Sequence, residues 1–181
     1  MFKSSFIITV FIILALCNSA FATGASIDRA WAGCTYANPC TLSPQTLASY
    51  GDFVTNDYPT YYLNKMSSSN DVWYNWDDNQ TPERDYNYIL YQFEDKDYTS
   101  AVCRWEVRVD GGSAVTIFFW DGSNWDNIAS NSGGSDPGVE RTNVDLGYFD
   151  GEFLTVLVVG PTPGPGEDRI SCDVCQLAVE P

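Results

Sequence analysis

The chain has 181 residues, of which 24 are acidic and 9 basic, a formal net charge of −15, and no histidine. This negative charge disfavours binding to nucleic acid or to anionic lipid surfaces. The lack of histidine excludes Ser-His-Asp and Cys-His nucleophile pairs and most zinc sites. Aromatic residues make up 15% of the chain, and many stand beside Asp, Asn or Gly. Such residues are typical of half-buried rims or of surfaces on which a ligand stacks.

Residues 1–22 are predicted to be a secretory signal peptide. A basic residue precedes an almost entirely apolar run over residues 6–16, and Ala-Phe-Ala at 20–22 is a small-residue cleavage site. The apolar run is too short for a membrane-spanning helix, so we expect a secreted protein that acts outside the cell or at its surface and is not membrane-embedded. A lipoprotein signal at Cys17 is the alternative, but Leu16 stands where a small residue is normal.

The segment 23–60 is the most loosely patterned part of the exported chain. Cys34 and Cys40 flank a short loop there, and we expect a local disulfide between them. Ser43 followed by Pro44 predicts a helical turn, because serine caps helices and proline is tolerated at the first helical position. We take residues 61–181 as the main domain.

From residue 61 onward, β-branched and aromatic runs alternate with turn residues, and no convincing helical period appears. Strands are predicted over residues 72–76, 88–93, 101–109, 114–120, 125–129, 142–146, 153–159 and 169–179. Turn residues at 110–112 predict a hairpin, and the very apolar run at 153–159 is expected at the centre of a sheet. About eight strands without covering helices predict an all-β fold, an antiparallel two-sheet β-sandwich of jelly-roll type.

The remaining cysteines suggest that this sandwich is disulfide-stabilised. Cys103 lies in a predicted strand, and we expect it to bridge one of Cys172 and Cys175, with Cys172 taken as its partner. The two late cysteines are three residues apart, so a regular strand would point them to opposite faces. A redox or metal-binding role for the Cys-x-x-Cys pair is the alternative.

Three stretches, at residues 88–93, 104–109 and 115–125, resemble galactose-binding-like and carbohydrate-binding-module sandwiches. In those families a strand often ends in an aromatic-Asp-Gly-Ser-x-Trp hairpin, as it does here at 120–125. Residues 168–179 resemble their closing strand, which returns beside the first. The resemblance spans about residues 72–179 and implies the fold better than it implies a ligand.

The same resemblance implies a structural Ca²⁺ ion, which carboxylate-rich loops could hold. The candidate ligands are Asp77, Asp95, Asp97 and Asp168. None of these runs has the spacing of an EF-hand. A solvated acidic rim without a metal is the alternative interpretation.

An aromatic cluster interleaved with polar residues predicts a sugar-binding surface. Sugars present flat C–H faces that stack on Trp and Tyr, while Asp and Asn bind their hydroxyls. The candidate ligand-binding residues are Trp76, Tyr86, Trp125, Asp78 and Asn79. Alternate aromatics of a strand face the core, so Trp105 and Phe118 are expected to be core residues.

These observations predict a secreted, non-catalytic, carbohydrate-binding module with no enzymatic activity, since no carboxylate pair lies in a recognisable catalytic motif. The alternative is a structural subunit that assembles with like subunits into a filament, sheath or surface layer. Two features favour that alternative. The two expected disulfides leave one of the five exported cysteines for a bridge between molecules, and the segment 23–40 could add as a strand to a neighbour's sheet.

Overall fold

The computed structural model describes residues 24–25, 27–51, 74–76, 86–96, 98–109, 114–132, 140–149, 151–160 and 170–180. Within these residues the chain forms ten strands, arranged as two antiparallel five-stranded sheets that face each other. The strands are β1 (Gly24–Ala25), β2 (Arg29–Thr35), β3 (Tyr74–Trp76), β4 (Tyr86–Glu94), β5 (Ser100–Val109), β6 (Ala114–Trp120), β7 (Trp125–Ser132), β8 (Glu140–Val144), β9 (Phe153–Val159) and β10 (Ile170–Glu180). The predicted two-sheet antiparallel sandwich is confirmed, while the jelly-roll order of its strands stays a prediction.

The first sheet has the order β1-β10-β5-β8, and β3 also pairs with β10. The long ladder between β10 and β5 runs from Ile170 opposite Val109 to Glu180 opposite Ser100. A β-bulge between Cys172 and Val174 interrupts this ladder. The closing strand therefore lies beside β1, β3 and β5.

The second sheet has the order β2-β4-β9-β6-β7, with the apolar strand β9 at its centre as predicted. The hairpin predicted at residues 110–112 is wrong, because β5 belongs to the first sheet and β6 to the second. The hairpin partner of β6 is β7, and β9 occupies the other edge of β6. Neither edge of β6 is left for β5.

The main core fills the space between the two sheets. Alternate residues of β4 face it, including Ile89, Tyr91 and Phe93, each no more than 1% exposed. The first sheet contributes Trp105, which is 5% exposed and is a core residue as predicted, together with its neighbours Cys103 and Val107. Each large apolar side chain buried in this way contributes roughly 1.5–3 kcal/mol of transfer free energy.

A second core covers part of the outer face of the second sheet. A helix, α1 (Pro44–Tyr50), lies on this face, and the predicted helical turn is confirmed. The Ser43 hydroxyl caps it by accepting a hydrogen bond from the Thr46 amide at 3.2 Å. Leu47, fully buried, packs there with Leu90 and Leu157. Within the described residues, no helix is both long and apolar enough to cross a membrane.

Two hydrogen bonds join the α1 segment to the sheet beneath it. The Tyr88 hydroxyl donates to the carbonyl oxygen of Leu47 at 2.6 Å. The Trp125 indole Nε1 donates to the carbonyl oxygen of Leu42 at 2.7 Å. Both bonds satisfy backbone carbonyls that the second core removes from water.

The N-terminal strand β2 completes one edge of the second sheet. Arg29–Thr35 pairs with β4 in a regular antiparallel register, and its small residues Ala30 and Ala32 face the main core. β1 pairs with β10 of the first sheet. This part of the chain therefore pairs with strands of its own chain.

The predicted disulfide between Cys34 and Cys40 is not formed. Cys34 lies directly opposite Asn87 in the β2–β4 ladder, and its Sγ donates to Asn87 Oδ1 at 3.1 Å. Cys40 packs against the second core. The local loop thus places the two sulfur atoms in different surroundings.

The predicted bridge from Cys103 to Cys172 is also wrong, since no disulfide forms among the described residues. Cys103 lies opposite Leu177, whereas Cys172 lies opposite Val107, so their α-carbons are about 13 Å apart along the ladder. A disulfide requires α-carbons within about 7 Å. Because of the bulge, the backbone register places both Cys172 and Cys175 opposite residues that face the core.

Candidate functional site

The sequence-predicted ligand residues that the structure describes lie on different strands. Trp76 belongs to β3 of the first sheet, where it pairs with Ile170. Tyr86 begins β4 of the second sheet and is half-buried. Asp78 and Asn79 lie outside the described residues.

Trp125, the third predicted aromatic, is a member of the second core. It is only 9% exposed, its indole Nε1 binds the Leu42 carbonyl, and its ring packs against Trp120 with centroids 5.0 Å apart. Its burial depends on a contact with a residue 83 positions earlier in the chain. The ring supports Trp120 and leaves little surface of its own for a ligand.

The part of the outer face beside the second core carries polar side chains. Gln92 and Thr155 lie opposite each other on β4 and β9. Their sequence neighbours Tyr91, Phe93, Leu154 and Val156 all face the main core, so Gln92 and Thr155 lie on the outer face, where Thr155 is only 1% exposed. The Gln92 amide Nε2 donates to Thr155 Oγ1 at 3.2 Å, which orients the half-buried amide.

Two tryptophans flank this polar pair, although the residue of β2 directly opposite Gln92 is Arg29. Trp31 on β2 lies opposite Leu90, two positions from Gln92, and is half-buried. Trp120 follows Phe119, which pairs with Val156, so it lies beside Thr155 and is also half-buried. We call Trp31, Gln92, Thr155 and Trp120 the outer-face strip.

Two close packing contacts hold the Trp31 end of the strip. Gly51, which follows α1, lies so near β2 that a Cβ at that position would come within 2.8 Å of Trp31 Cβ. A Cβ at Gly33 would come within 2.6 Å of the Tyr88 hydroxyl. The absence of side chains at both glycines allows the α1 segment to approach the sheet and fix the position of Trp31.

The hairpin turn between β6 and β7 holds the Trp120 end. The Asp121 carboxylate Oδ1 accepts hydrogen bonds from the backbone amides of Ser123 and Asn124, and these bonds lower the pKa of that carboxyl. Gly122 has a positive φ of 94°, a conformation that side chains disfavour. This turn sets Trp120 opposite Trp125.

Charged residues border the strip at the β2–β4 end. The Arg29 guanidinium lies 4.6 Å from the centroid of the Phe153 ring. The Asp28 carboxylate accepts a hydrogen bond from the Glu94 backbone amide at 2.8 Å, and Lys96 forms an exposed ion pair with Glu94 at 3.4 Å. The hydrogen bond to Glu94, together with the charge of Asp28, raises the pKa of Lys96.

Of the four predicted calcium ligands, only Asp95 lies within the described residues; Asp77, Asp97 and Asp168 lie outside them. Asp95 is half-buried, and its backbone amide donates to the Glu152 carbonyl at 2.8 Å. In the described part of the chain, no three Asp, Glu, Cys or His side chains converge as metal ligands. The calcium site therefore stays a prediction.

Apart from Trp120, which begins the hairpin motif at 120–125, the residues of the strip were not singled out in the sequence. Trp31 lies in a segment of small residues with little strand character, and Gln92 and Thr155 are 63 positions apart. The sequence of each strand contained one indication of the site. On the face away from the core, Gln92 interrupts the apolar residues of β4, and Thr155 interrupts those of β9. Recognising the site also required the register between these strands.

Comparison with known proteins gives little beyond this geometry. No protein-family model matches the chain, and no curated protein matches it. Among solved structures, the chain is similar to a mutant of a carbohydrate binding module family 29, with a TM-score of 0.34 and 12% sequence identity. The match covers 64% of this chain and 86% of that one. A likeness at this level gives no information about a ligand.

Proposed function

We propose that the protein is an exported, non-catalytic β-sandwich that binds carbohydrate on the outer-face strip. The observation that carries this proposal is the pair of half-exposed indoles, Trp31 and Trp120, on one sheet face with the oriented amide of Gln92 between them. Indole rings offer flat apolar surfaces, and an amide both donates and accepts hydrogen bonds. A sugar, with an apolar C–H face and a hydroxylated rim, matches that combination.

The strip is firmly supported from below, which favours binding without a large ordering cost. Trp120 rests on the buried Trp125, and Gly51 is packed against the Trp31 Cβ. Side chains already held in place lose little rotamer entropy when a ligand arrives. Rigid aromatic anchors of this kind commonly carry most of the binding energy of a surface.

The chemistry of the strip favours binding over catalysis. Glycoside hydrolysis requires two carboxyl groups that flank the scissile bond. The strip side chains are two indoles, an amide and a hydroxyl, and none of these is an acid or a base at neutral pH. A sugar lying on the strip would therefore be held and not cleaved.

The proposal is tested by affinity electrophoresis and calorimetry against a panel of polysaccharides. We expect Trp120→Ala and Gln92→Ala to weaken binding, by roughly tenfold or more for the tryptophan. Tyr36→Ala is the matched control. Tyr36 is an aromatic residue, 60% exposed, that follows the last residue of β2 and lies outside the strip. Equal affinities in wild type and both strip variants would contradict the proposal.

A thermal unfolding curve for each variant separates binding from folding. Trp120 packs against the second core, so its removal is expected to lower the melting temperature as well. Gln92 does not belong to either core, and its replacement is expected to change stability little. A Gln92→Ala variant that stays folded but binds more weakly isolates the role of the strip.

Export and calcium binding belong to the same proposal and have their own tests. The signal peptide at residues 1–22 supports export, and the amino terminus of the protein recovered from the culture medium would check the cleavage site.

Calcium support predicts that a chelator lowers the melting temperature and that added Ca²⁺ restores it. An unchanged melting temperature would remove calcium from the proposal.

A further inference from the structure

We propose that the ligand is an extended glycan chain without carboxylate or sulfate groups, and that it lies across strands β2, β4, β9 and β6. This inference rests on the proposed function and adds the length, direction and charge of the ligand. The spacing of the two tryptophans determines the length and direction. The charges around the strip determine which glycans are excluded.

The two indoles are too far apart to contact one sugar ring. Trp31 and Trp120 lie on strands separated by β4 and β9, which places them about 14 Å apart across the sheet. Gln92 and Thr155 lie on the two intervening strands, and the half-buried Gln92 amide offers the polar contact, since Thr155 is only 1% exposed. A single sugar would reach one tryptophan, whereas a chain of several units crossing the strands would reach both tryptophans and the amide.

The charges around the strip are mostly acidic. Asp28 and Glu94 border the β2–β4 end, where Lys96 pairs with Glu94 and Arg29, which lies opposite Gln92, contacts the Phe153 ring. Asp121 borders the β6–β7 end, and the net charge of the whole chain is −15. Charges act over about 10 Å at 0.1 M salt, so this net negative charge would repel an anionic glycan on the strip.

Binding to polysaccharides of different charge tests whether the ligand lacks carboxylate and sulfate groups. Affinity gels would contain either neutral polysaccharides, namely β-glucan, xylan, mannan, galactan and chitin, or anionic ones, namely polygalacturonate, alginate and heparin. We expect retardation by one or more of the neutral polymers and none by the anionic polymers at about 0.1 M salt. Retardation by an anionic polymer as strong as by any neutral one would overturn the charge assignment.

Binding to oligosaccharides of increasing length tests whether the ligand is an extended chain. Calorimetry would use oligosaccharides of the polymer that retards the protein, from the dimer to the hexamer. We expect affinity to rise by roughly tenfold or more between the shortest and the longest oligosaccharides, because the second tryptophan is reached only by the longer ones. In Trp31→Ala that increase should largely disappear, while the affinity for the shortest oligosaccharide that still contacts Trp120 is kept.

The outcomes separate this inference from the proposed function. If a dimer binds as tightly as a hexamer, the extended chain is excluded while carbohydrate binding stands. If no polymer retards the protein, the proposed function fails and this inference fails with it. Should Trp31→Ala be poorly folded, Trp31→Phe, which keeps an aromatic ring of smaller area, is expected to reduce the length dependence in part.

Discussion

The two faces of the second sheet are both rich in apolar and aromatic residues, but they are used differently. The inner face is a continuous layer, with residues such as Ile117, Phe119 and Val156 at 1% exposure. The outer face is divided. The α1 segment covers one half, where Leu90 and Leu157 are fully buried, and the other half carries the outer-face strip.

This difference shows that a second layer of apolar residues on a sheet need not be a ligand surface. Most outer-face aromatics, including Tyr88 and Trp125, form a core beneath the N-terminal segment. The side chains left for a ligand are those at the border of that core, where Trp31 and Trp120 are half-buried. The N-terminal segment therefore defines the site by what it leaves uncovered.

The largest expected effect compares the two faces on one strand. Leu154 faces the main core and Leu157 the second core, and both are fully buried. We expect Leu154→Ala and Leu157→Ala each to lower the free energy of unfolding by about 2–5 kcal/mol. Urea denaturation followed by circular dichroism measures both. A cost below about 1 kcal/mol for Leu157→Ala alone would mean that the second core is not part of the cooperative fold.

A smaller effect is expected at the hydrogen bond between the sheet and the helix above it. Tyr88→Phe keeps the buried ring but leaves the Leu47 carbonyl without the hydroxyl that donates to it. The expected loss is about 1–2 kcal/mol, again from urea denaturation. In the Tyr88→Phe variant, backbone amide hydrogens should exchange faster in α1 than in β9. Equal protection of α1 in wild type and variant would contradict a role for this bond in holding the segment.

The smallest effect concerns the turn that holds Trp120. Backbone hydrogen bonds lower the pKa of Asp121, so its contribution to stability is present above the unfolded pKa, about 3.9, and is lost as the pH falls through the lower, folded value. Asp121→Asn should therefore melt slightly below wild type at pH 7, and the difference should shrink below about pH 4. Melting curves across this range would show it. A difference that does not depend on pH would contradict the assignment to the carboxylate.

Much of the sandwich could be predicted because its strands carry their own patterns. The alternation of residues 101–109 indicated β5, and the apolar run over β9 indicated a central strand. Asp121 and Gly122 marked the turn of the β6–β7 hairpin. These features depend on local spacing and turn chemistry, which a sequence displays directly.

The remaining features depend on long-range pairing. β2 consists largely of small residues, so the sequence of Arg29–Thr35 does not indicate a strand. The strand is apparent only from its pairing with β4. Trp125 stands beside polar residues, which suggested exposure, yet Leu42 and Leu47 from the N-terminal segment cover it. The predicted bridge from Cys103 to Cys172 was wrong for the same reason, since the pairing of β10 with β5 places their α-carbons about 13 Å apart.

The most direct test of the carbohydrate site is nuclear magnetic resonance of the six tryptophan indole N–H groups during titration with the polysaccharide-derived oligosaccharide that binds. We expect the signals of Trp31 and Trp120 to shift. Those of Trp105, in the main core, and of Trp125, bonded to Leu42, should shift little. Shifts at Trp76 with none at Trp31 or Trp120 would contradict a site on the outer-face strip and would place it on the first sheet.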